Sequence, residues 1–141
     1  MSETIVHSYK GRMITHATTV FAYRNLHRAM WSLRAEDGPH KGKVVGHTTD
    51  VRLLDARLKV SEAGRQRVLA EGKKNVHAGV VGKVAPEGFA PEDFRSTLLS
   101  RKLNYNPYKA PTFTVDGLPV TEATLVHLAE DGKAYAYGNV A

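Results

Sequence analysis

The chain contains no cysteine and no long apolar run. Without thiols it cannot form disulfides, zinc–thiolate sites or a cysteine nucleophile, and a cysteine-free sequence fits a reducing compartment. No stretch approaches the roughly 20 apolar residues of a membrane-spanning helix, and the N-terminal part lacks the unbroken apolar core of a signal peptide. We therefore expect a cytoplasmic protein with no membrane partner.

Sequence motifs for catalysis and cofactor binding are also missing. The seven histidines include no HExxH motif and no i,i+4 pair, so no metal site is predicted. GPHKGK and GVVGKV lack the spacing of phosphate-binding loops and the Ser or Thr that follows the lysine, and there is no serine nucleophile elbow. The sequence predicts no catalytic residue, no cofactor and no enzyme, while a site that the fold assembles from distant side chains stays an open alternative.

Composition and charge are those of a small basic domain. The 141 residues are 42% hydrophobic, which is enough for one core. We expect residues 23–141 to form a single ligand-binding domain and residues 1–22 to be an N-terminal extension or an edge strand, because the latter show no clear period. The net charge is +6, and residues 57–109 carry eleven basic against five acidic side chains. This surplus favours an anionic partner, but it is also typical of ordinary soluble domains.

Alternating apolar residues and turn signals predict several β-strands. Residues 27–34 and 43–48 are predicted to pair across the turn EDGPHKG, and residues 76–84 form a later strand with Val76 on its apolar face. A further strand is predicted at 50–60. Its buried face is expected to carry four side chains, Leu54, Ala56, Leu58 and Val60.

Two short helices are predicted between the strands. Ser61 fits the N-cap of the first helix and Gly72 its end. Pro91 occupies a position that favours the start of a second helix over EDFRSTLLSRK, residues 92–102.

A β-hairpin is predicted at the C-terminus. Asp131-Gly132 is typical of a two-residue turn, which would pair Leu128 with Tyr135 and Val126 with Tyr137. The predicted fold class is therefore α+β, mainly an antiparallel β-sheet with two short helices and a C-terminal β-hairpin.

The stretch RKLNYNPYKAPTF and the preceding helix hold the candidate binding residues. Aromatic faces stack on bases, amides can pair with base edges, and cations neutralise phosphates. This chemistry predicts ligand contacts from five side chains, Phe94, Arg101, Lys102, Asn104 and Tyr105. The alternative is that Phe94 and Tyr105 belong to the core and that Asn106-Pro107 is a turn. Tyr108, Pro111 and Phe113 are expected to pack against the fold.

The chain resembles the first type of the phage-encoded Thoeris anti-defence family. The resemblance lies in YRNLHRAMWSLR (residues 23–34), in residues 44–82 with their serine-led basic helix and KNVHA strand, and in NYNPYK. It implies a homo-oligomer that binds a cyclic ADP-ribose-type immune signal between protomers and holds it without cleavage, in the host cytoplasm. Some members of that family also bind cyclic oligonucleotides.

The same resemblance implies roles for three residues. Phe94 matches the aromatic ring that stacks on the base, Asn104 matches the asparagine, and Trp31 is a second aromatic candidate. The family's arginines have no assigned counterpart, since Thr48-Thr49 stands where a cation is expected.

Three functions therefore stand in order. The first is sequestration of a cyclic nucleotide signal. The alternative is a small basic protein that binds single-stranded nucleic acid and stacks bases on Trp31, Tyr105 and Tyr108. The third is a nucleotide-hydrolysing enzyme that uses histidines such as His77.

Overall fold

Twelve β-strands and one α-helix make up the described chain. The structure is a computed structural model and describes residues 5–9, 12–15, 18–85 and 100–141. The elements follow the chain as β1 (Ile5–Tyr9), β2 (Arg12–Thr15), β3 (Thr19–Arg24), β4 (Trp31–Ala35), β5 (Val44–Thr48), β6 (Val51–Val60), α1 (Glu62–Glu71), β7 (Ala78–Val84), β8 (Arg101–Leu103), β9 (Thr114–Val115), β10 (Leu118–Pro119), β11 (Glu122–Leu128) and β12 (Ala134–Val140). The mainly antiparallel β class predicted from the sequence is confirmed.

Eight strands form one antiparallel sheet in the order β5-β4-β3-β7-β6-β11-β12-β8. All eight contribute side chains to a single apolar cluster, so the sheet curves around its core. The hairpins β1-β2 and β9-β10 form two small additional sheets. No helix within the described residues has the length and apolar character needed to cross a membrane.

β3 is an interior strand between β4 and β7. Its residues Val20 and Ala22 are 0% and 1% exposed. The boundary predicted between residues 22 and 23 therefore falls within a core strand, and residues 19–22 are not part of an extension or an edge. The division of the chain into an extension and a domain is otherwise still a prediction.

The strands β4 and β7 both start later than the sequence suggested. The side-chain oxygen of Asn25 accepts hydrogen bonds from the backbone nitrogens of His27 (2.7 Å) and Arg28 (3.0 Å), and such a turn is incompatible with a strand from residue 27. Val76 precedes β7 and is 45% exposed, so it does not share the buried face of that strand.

A bulge in β6 changes which side chains face the core. Asp55 has a φ of 50°, and the pairing of β6 with β7 shifts between Leu54 and Arg57. Because a bulge reverses the alternation, Leu53 is buried before it and Ala56 after it. The predicted face was right for Ala56 and Leu58 and wrong for Leu54 and Val60.

The caps of α1 are those predicted. The Ser61 hydroxyl accepts a hydrogen bond from the Gly64 nitrogen at 3.2 Å. Gly72 has a φ of 69°, and its nitrogen donates to the Val68 carbonyl, which is the left-handed ending that glycine favours.

The second predicted helix is not supported. α1 is the sole helix among the described residues. Residues 92–99 lie outside them, but Arg101 and Lys102 form β8, paired with Ala136 and Tyr135 of β12. The free edge of β12 captures this segment as a strand, because pairing satisfies backbone groups that an edge leaves open.

The C-terminal hairpin exists, with a longer turn than predicted. The Ala129 nitrogen donates to the Lys133 carbonyl at 2.9 Å, and the Gly132 nitrogen donates back to the Ala129 carbonyl at 3.1 Å. The loop is therefore a three-residue type I turn with Gly132 left-handed (φ 83°). The extra residue shifts the register, so Leu128 lies opposite Ala134 and not opposite Tyr135.

Candidate ligand-binding site

A cavity of about 470 Å³ lies between three segments. Its walls are the C-terminal part of α1, residues 74–78 leading into β7, and the turn at 105–108, with Arg24 at the end of β3. We call it the Tyr105 cavity. Its size is within the roughly 300–1,000 Å³ of small-molecule sites.

The charge of the Tyr105 cavity is entirely positive. Arg24 and Lys74 line it, and no lining residue is acidic. Nη1 of Arg24 is buried and has no hydrogen-bond partner among the described residues. The guanidinium carbon lies 5.1 Å from the ring centroid of Trp31, and this cation–π contact fixes its position. A buried donor without a partner is unfavourable, so this nitrogen is suited to an incoming anion.

A chain of hydrogen bonds forms one wall of the cavity. Nδ2 of Asn75 donates to the Gly64 carbonyl of α1 at 3.1 Å. Nδ1 of His77 lies 2.8 Å from Oδ1 of Asn75, and Nε2 of His77 lies 2.6 Å from the Tyr105 hydroxyl. Burial raises the pKa of Tyr105 above its usual value, so the phenol is neutral at physiological pH. The wall is therefore rigid and polar.

The turn that carries Tyr105 is anchored to the rest of the fold. The Asn106 side chain accepts a hydrogen bond from the Tyr108 nitrogen at 2.9 Å, which is the turn expected of Asn-Pro. Nε of Arg65 donates to the Pro107 carbonyl at 2.9 Å. The Tyr105 ring packs on Phe113 with centroids 5.1 Å apart. Helix and turn thus hold each other in position.

Exposed apolar side chains surround the mouth of the cavity. Leu26, Val76 and Tyr108 line it and are 46%, 45% and 61% exposed. Exposed apolar groups gathered at a concave site indicate a binding surface. The expectation that Tyr108 packs against the fold is wrong, because its ring stands open at this mouth.

A second cavity of about 350 Å³ adjoins the first. The two share Arg24, Ala78 and Tyr105. Trp31 and Asn104 line the second cavity, which has no acidic lining residue either. We call it the Trp31 cavity. Three of the residues singled out in the sequence, Trp31, Asn104 and Tyr105, therefore meet at one place.

The other three do not join them. Arg101 and Lys102 are exposed on β8 and line neither cavity. Phe94 lies outside the described residues. Trp31 itself is 7% exposed, and its indole nitrogen donates to the Ala129 carbonyl at 2.8 Å, so it supports Arg24 from within the core.

The sequence interpretation missed four cavity residues, Arg24, Lys74, Asn75 and His77. KKNVH directly precedes a strand, and loops at strand ends commonly carry binding groups. This signal was present in the sequence. Nothing local, however, indicates that Arg24 reaches the same cavity.

Two further histidine contacts lie outside the cavities. The Ser32 hydroxyl is 2.9 Å from Nδ1 of His47, but Ser32 is 0% exposed and cannot reach a substrate. Burial, and next the charge of Arg28, lower the pKa of His47. Nε2 of His127 lies 2.6 Å from Oδ2 of Asp50. The described chain contains no group of three potential metal ligands.

Comparisons with known proteins agree on one phage family. Residues 13–136 match the family model described as Mycobacterium phage L5 gene 82 protein. The gene 82 protein of Mycobacterium phage L5 is 36% identical to this chain over 121 residues, which cover 80% of this chain and 91% of that protein. No solved structure matches. The phage origin implied by the sequence is confirmed, and the chain belongs to the mycobacteriophage L5 gene 82 protein family.

Proposed function

We propose that this protein binds and sequesters, without cleaving it, a nucleotide signal of the cyclic ADP-ribose type, and thereby blocks bacterial anti-phage immunity. The observation that carries the proposal is the buried, unpartnered guanidinium nitrogen of Arg24 in a cavity that has no carboxylate. The phage family and the resemblance to Thoeris anti-defence proteins add the biological setting and the ligand class.

The cavity offers each kind of contact that a nucleotide needs. Arg24 and Lys74 supply positive charge for phosphates. The open ring of Tyr108 supplies a face for a base. A ligand of roughly 35 heavy atoms at about 0.3 kcal/mol per atom reaches about −10 kcal/mol, a dissociation constant of tens of nanomolar. An abundant protein with this affinity would deplete a signal.

Retention without cleavage is supported by the state of His77. Both of its ring nitrogens are within hydrogen-bond distance of groups of the chain itself, Asn75 and Tyr105. A general base must instead reach a proton of the substrate. Sequestration requires only an enclosed, charge-neutralising pocket.

A second copy of the chain belongs to the proposal as the cover of the mouth. Leu26, Val76 and Tyr108 leave an apolar rim exposed in one chain, and a partner protomer would bury it together with the ligand. Light scattering after size exclusion tests this: a homo-oligomer is expected, and Val76→Glu should weaken it. A monomer at all concentrations would remove the oligomer from the proposal.

The test of binding is release of the captured ligand. Purified protein is incubated with cyclic ADP-ribose or with extract of cells whose TIR enzyme is active, then washed and heat-denatured. Mass spectrometry should find unmodified nucleotide in the supernatant. Recovery of no nucleotide would refute sequestration, and recovery of degraded product would favour the nucleotide-hydrolysing enzyme.

Two adjacent lysines provide a matched control for the same measurement. Lys74 lines the cavity and Lys73 does not, although both are exposed. Lys74→Ala should weaken nucleotide binding roughly three- to tenfold through loss of one phosphate contact. Lys73→Ala should bind as the unsubstituted protein does. Equal losses in both would indicate a diffuse charge effect.

Binding of single-stranded nucleic acid is the alternative. The exposed Tyr108 ring favours it, whereas the burial of Trp31 removes one of the three stacking residues that it needs. It predicts oligonucleotide binding that falls steeply with salt. Absence of binding at low salt would eliminate it.

A further inference from the structure

The orientation of the Asn75 amide is determined by its neighbour on α1. The Gly64 carbonyl can only accept a hydrogen bond, and the nearest Asn75 atom is Nδ2 at 3.1 Å. The reversed amide would place two oxygens against each other. Oδ1 of Asn75 therefore faces His77 as an acceptor.

This acceptor determines the tautomer of His77. Nδ1 lies 2.8 Å from Oδ1 of Asn75 and 3.2 Å from the Asn75 backbone carbonyl. Two acceptors at one ring nitrogen require that this nitrogen carry the proton. In the neutral ring Nε2 is then bare, and at 2.6 Å it accepts the proton of the Tyr105 hydroxyl.

The direction of the Tyr105 hydroxyl follows. Its proton points to His77, so the oxygen offers only lone pairs to any other partner. Asn75, His77 and Tyr105 all line the Tyr105 cavity. The cavity therefore presents a fixed hydrogen-bond acceptor beside its cations.

We propose that Tyr105 selects nucleotides that offer a hydrogen-bond donor, a ribose hydroxyl or a base amine, and that His77 and Asn75 are positioning residues that hold its oxygen as an acceptor. This inference rests on the proposed function, because it concerns the same cavity. An acceptor placed next to positive charge matches a phosphorylated ribose or a phosphate-linked base. It disfavours inorganic phosphate and other anions that have no donor beside the charge.

Titration calorimetry at about pH 8, where an ordinary imidazole is neutral, tests this inference. The probes are cyclic ADP-ribose, an analogue with fluorine in place of the ribose hydroxyls, and an analogue with hypoxanthine in place of adenine. In the unsubstituted protein, one analogue should bind about tenfold more weakly than cyclic ADP-ribose. The weaker analogue identifies whether hydroxyl or amine is the donor. In Tyr105→Phe that difference should disappear.

His77→Phe separates positioning from mere packing. A phenyl ring still packs edge-on against Tyr105 but accepts no hydrogen bond, so the Tyr105 proton becomes free to turn towards the ligand. The preference for cyclic ADP-ribose over the weaker analogue should then collapse towards one. A purely structural role would instead weaken all three probes by the same factor.

The outcomes are distinguishable. If the unsubstituted protein binds cyclic ADP-ribose and Tyr105→Phe keeps the same preference, the selection by Tyr105 is overturned and the proposed function stands. If no probe binds, both are overturned.

Discussion

Replacement of Arg24 by methionine should separate binding from stability. Methionine keeps an apolar contact with the Trp31 ring but removes the charge. The loss of the cation–π contact costs about 0.5–2 kcal/mol, and removal of the buried, unpartnered Nη1 donor returns about 1–3 kcal/mol. These terms oppose each other, so the free energy of unfolding should change by no more than about 1 kcal/mol, or roughly 4 °C in Tm.

Ligand binding should respond much more strongly to the same change. A charge-assisted hydrogen bond to phosphate contributes about 1.5–3 kcal/mol. Arg24→Met should therefore weaken binding of cyclic ADP-ribose roughly 10- to 150-fold. Titration calorimetry gives the affinity, and thermal unfolding of the free protein gives the stability.

Arg34 on β4 is the matched control. Its guanidinium carbon lies 4.9 Å from the ring centroid of Phe21, a contact similar to that of Arg24. Its side chain is 44% exposed and close to Glu36, and it lines neither the Tyr105 cavity nor the Trp31 cavity. Arg34→Met should leave the affinity unchanged. The reasoning fails if Arg24→Met unfolds the protein, or if it binds the nucleotide as tightly as Arg34→Met does.

Two further predictions concern the sheet and its terminal hairpin. Gly138 and Gly117 both have left-handed φ values, 83° and 82°, but an added Cβ would lie 2.4 Å from the Thr124 side chain at Gly138 and in open space at Gly117. Urea unfolding should therefore show a loss of about 1 kcal/mol for Gly117→Ala and a clearly larger loss for Gly138→Ala; equal losses would contradict the predicted clash. The hydrogen bond from Tyr135 is the main cause that lowers the pKa of Asp131. The stability from this bond is present above the ordinary pKa of the carboxyl and is lost as the pH falls through the lowered value, so Tm should decline less on acidification in Tyr135→Phe; an unchanged pH profile would contradict this assignment.

Features governed by a few neighbouring residues were predictable from the sequence. The caps of α1 involve Ser61, Gly64 and Gly72, which lie within one short segment, so their chemistry could be read directly. The positions of the terminal hairpin and the antiparallel class followed from turn residues and alternation.

Predictions that depended on pairing across strands were less successful. The bulge at Asp55 and the extra residue in the hairpin turn each moved side chains to a different face or partner, because a shift of one residue reverses the alternation of a strand. β8 replaced the end of a predicted helix because a sheet edge was available to it.

The sequence by itself determined the class of the fold, the ends of its helix and the chemical character of the stretch around Tyr105. Only the tertiary structure decided that Arg24, His77 and Tyr105 line one cavity, that Trp31 lies in the core, and that the Arg24 guanidinium has a nitrogen without a partner. The physical reason is that these residues come from β3, from the segment before β7 and from the turn after β8. Local sequence governs backbone conformation and charge, whereas the curvature and strand order of the sheet determine which distant side chains meet.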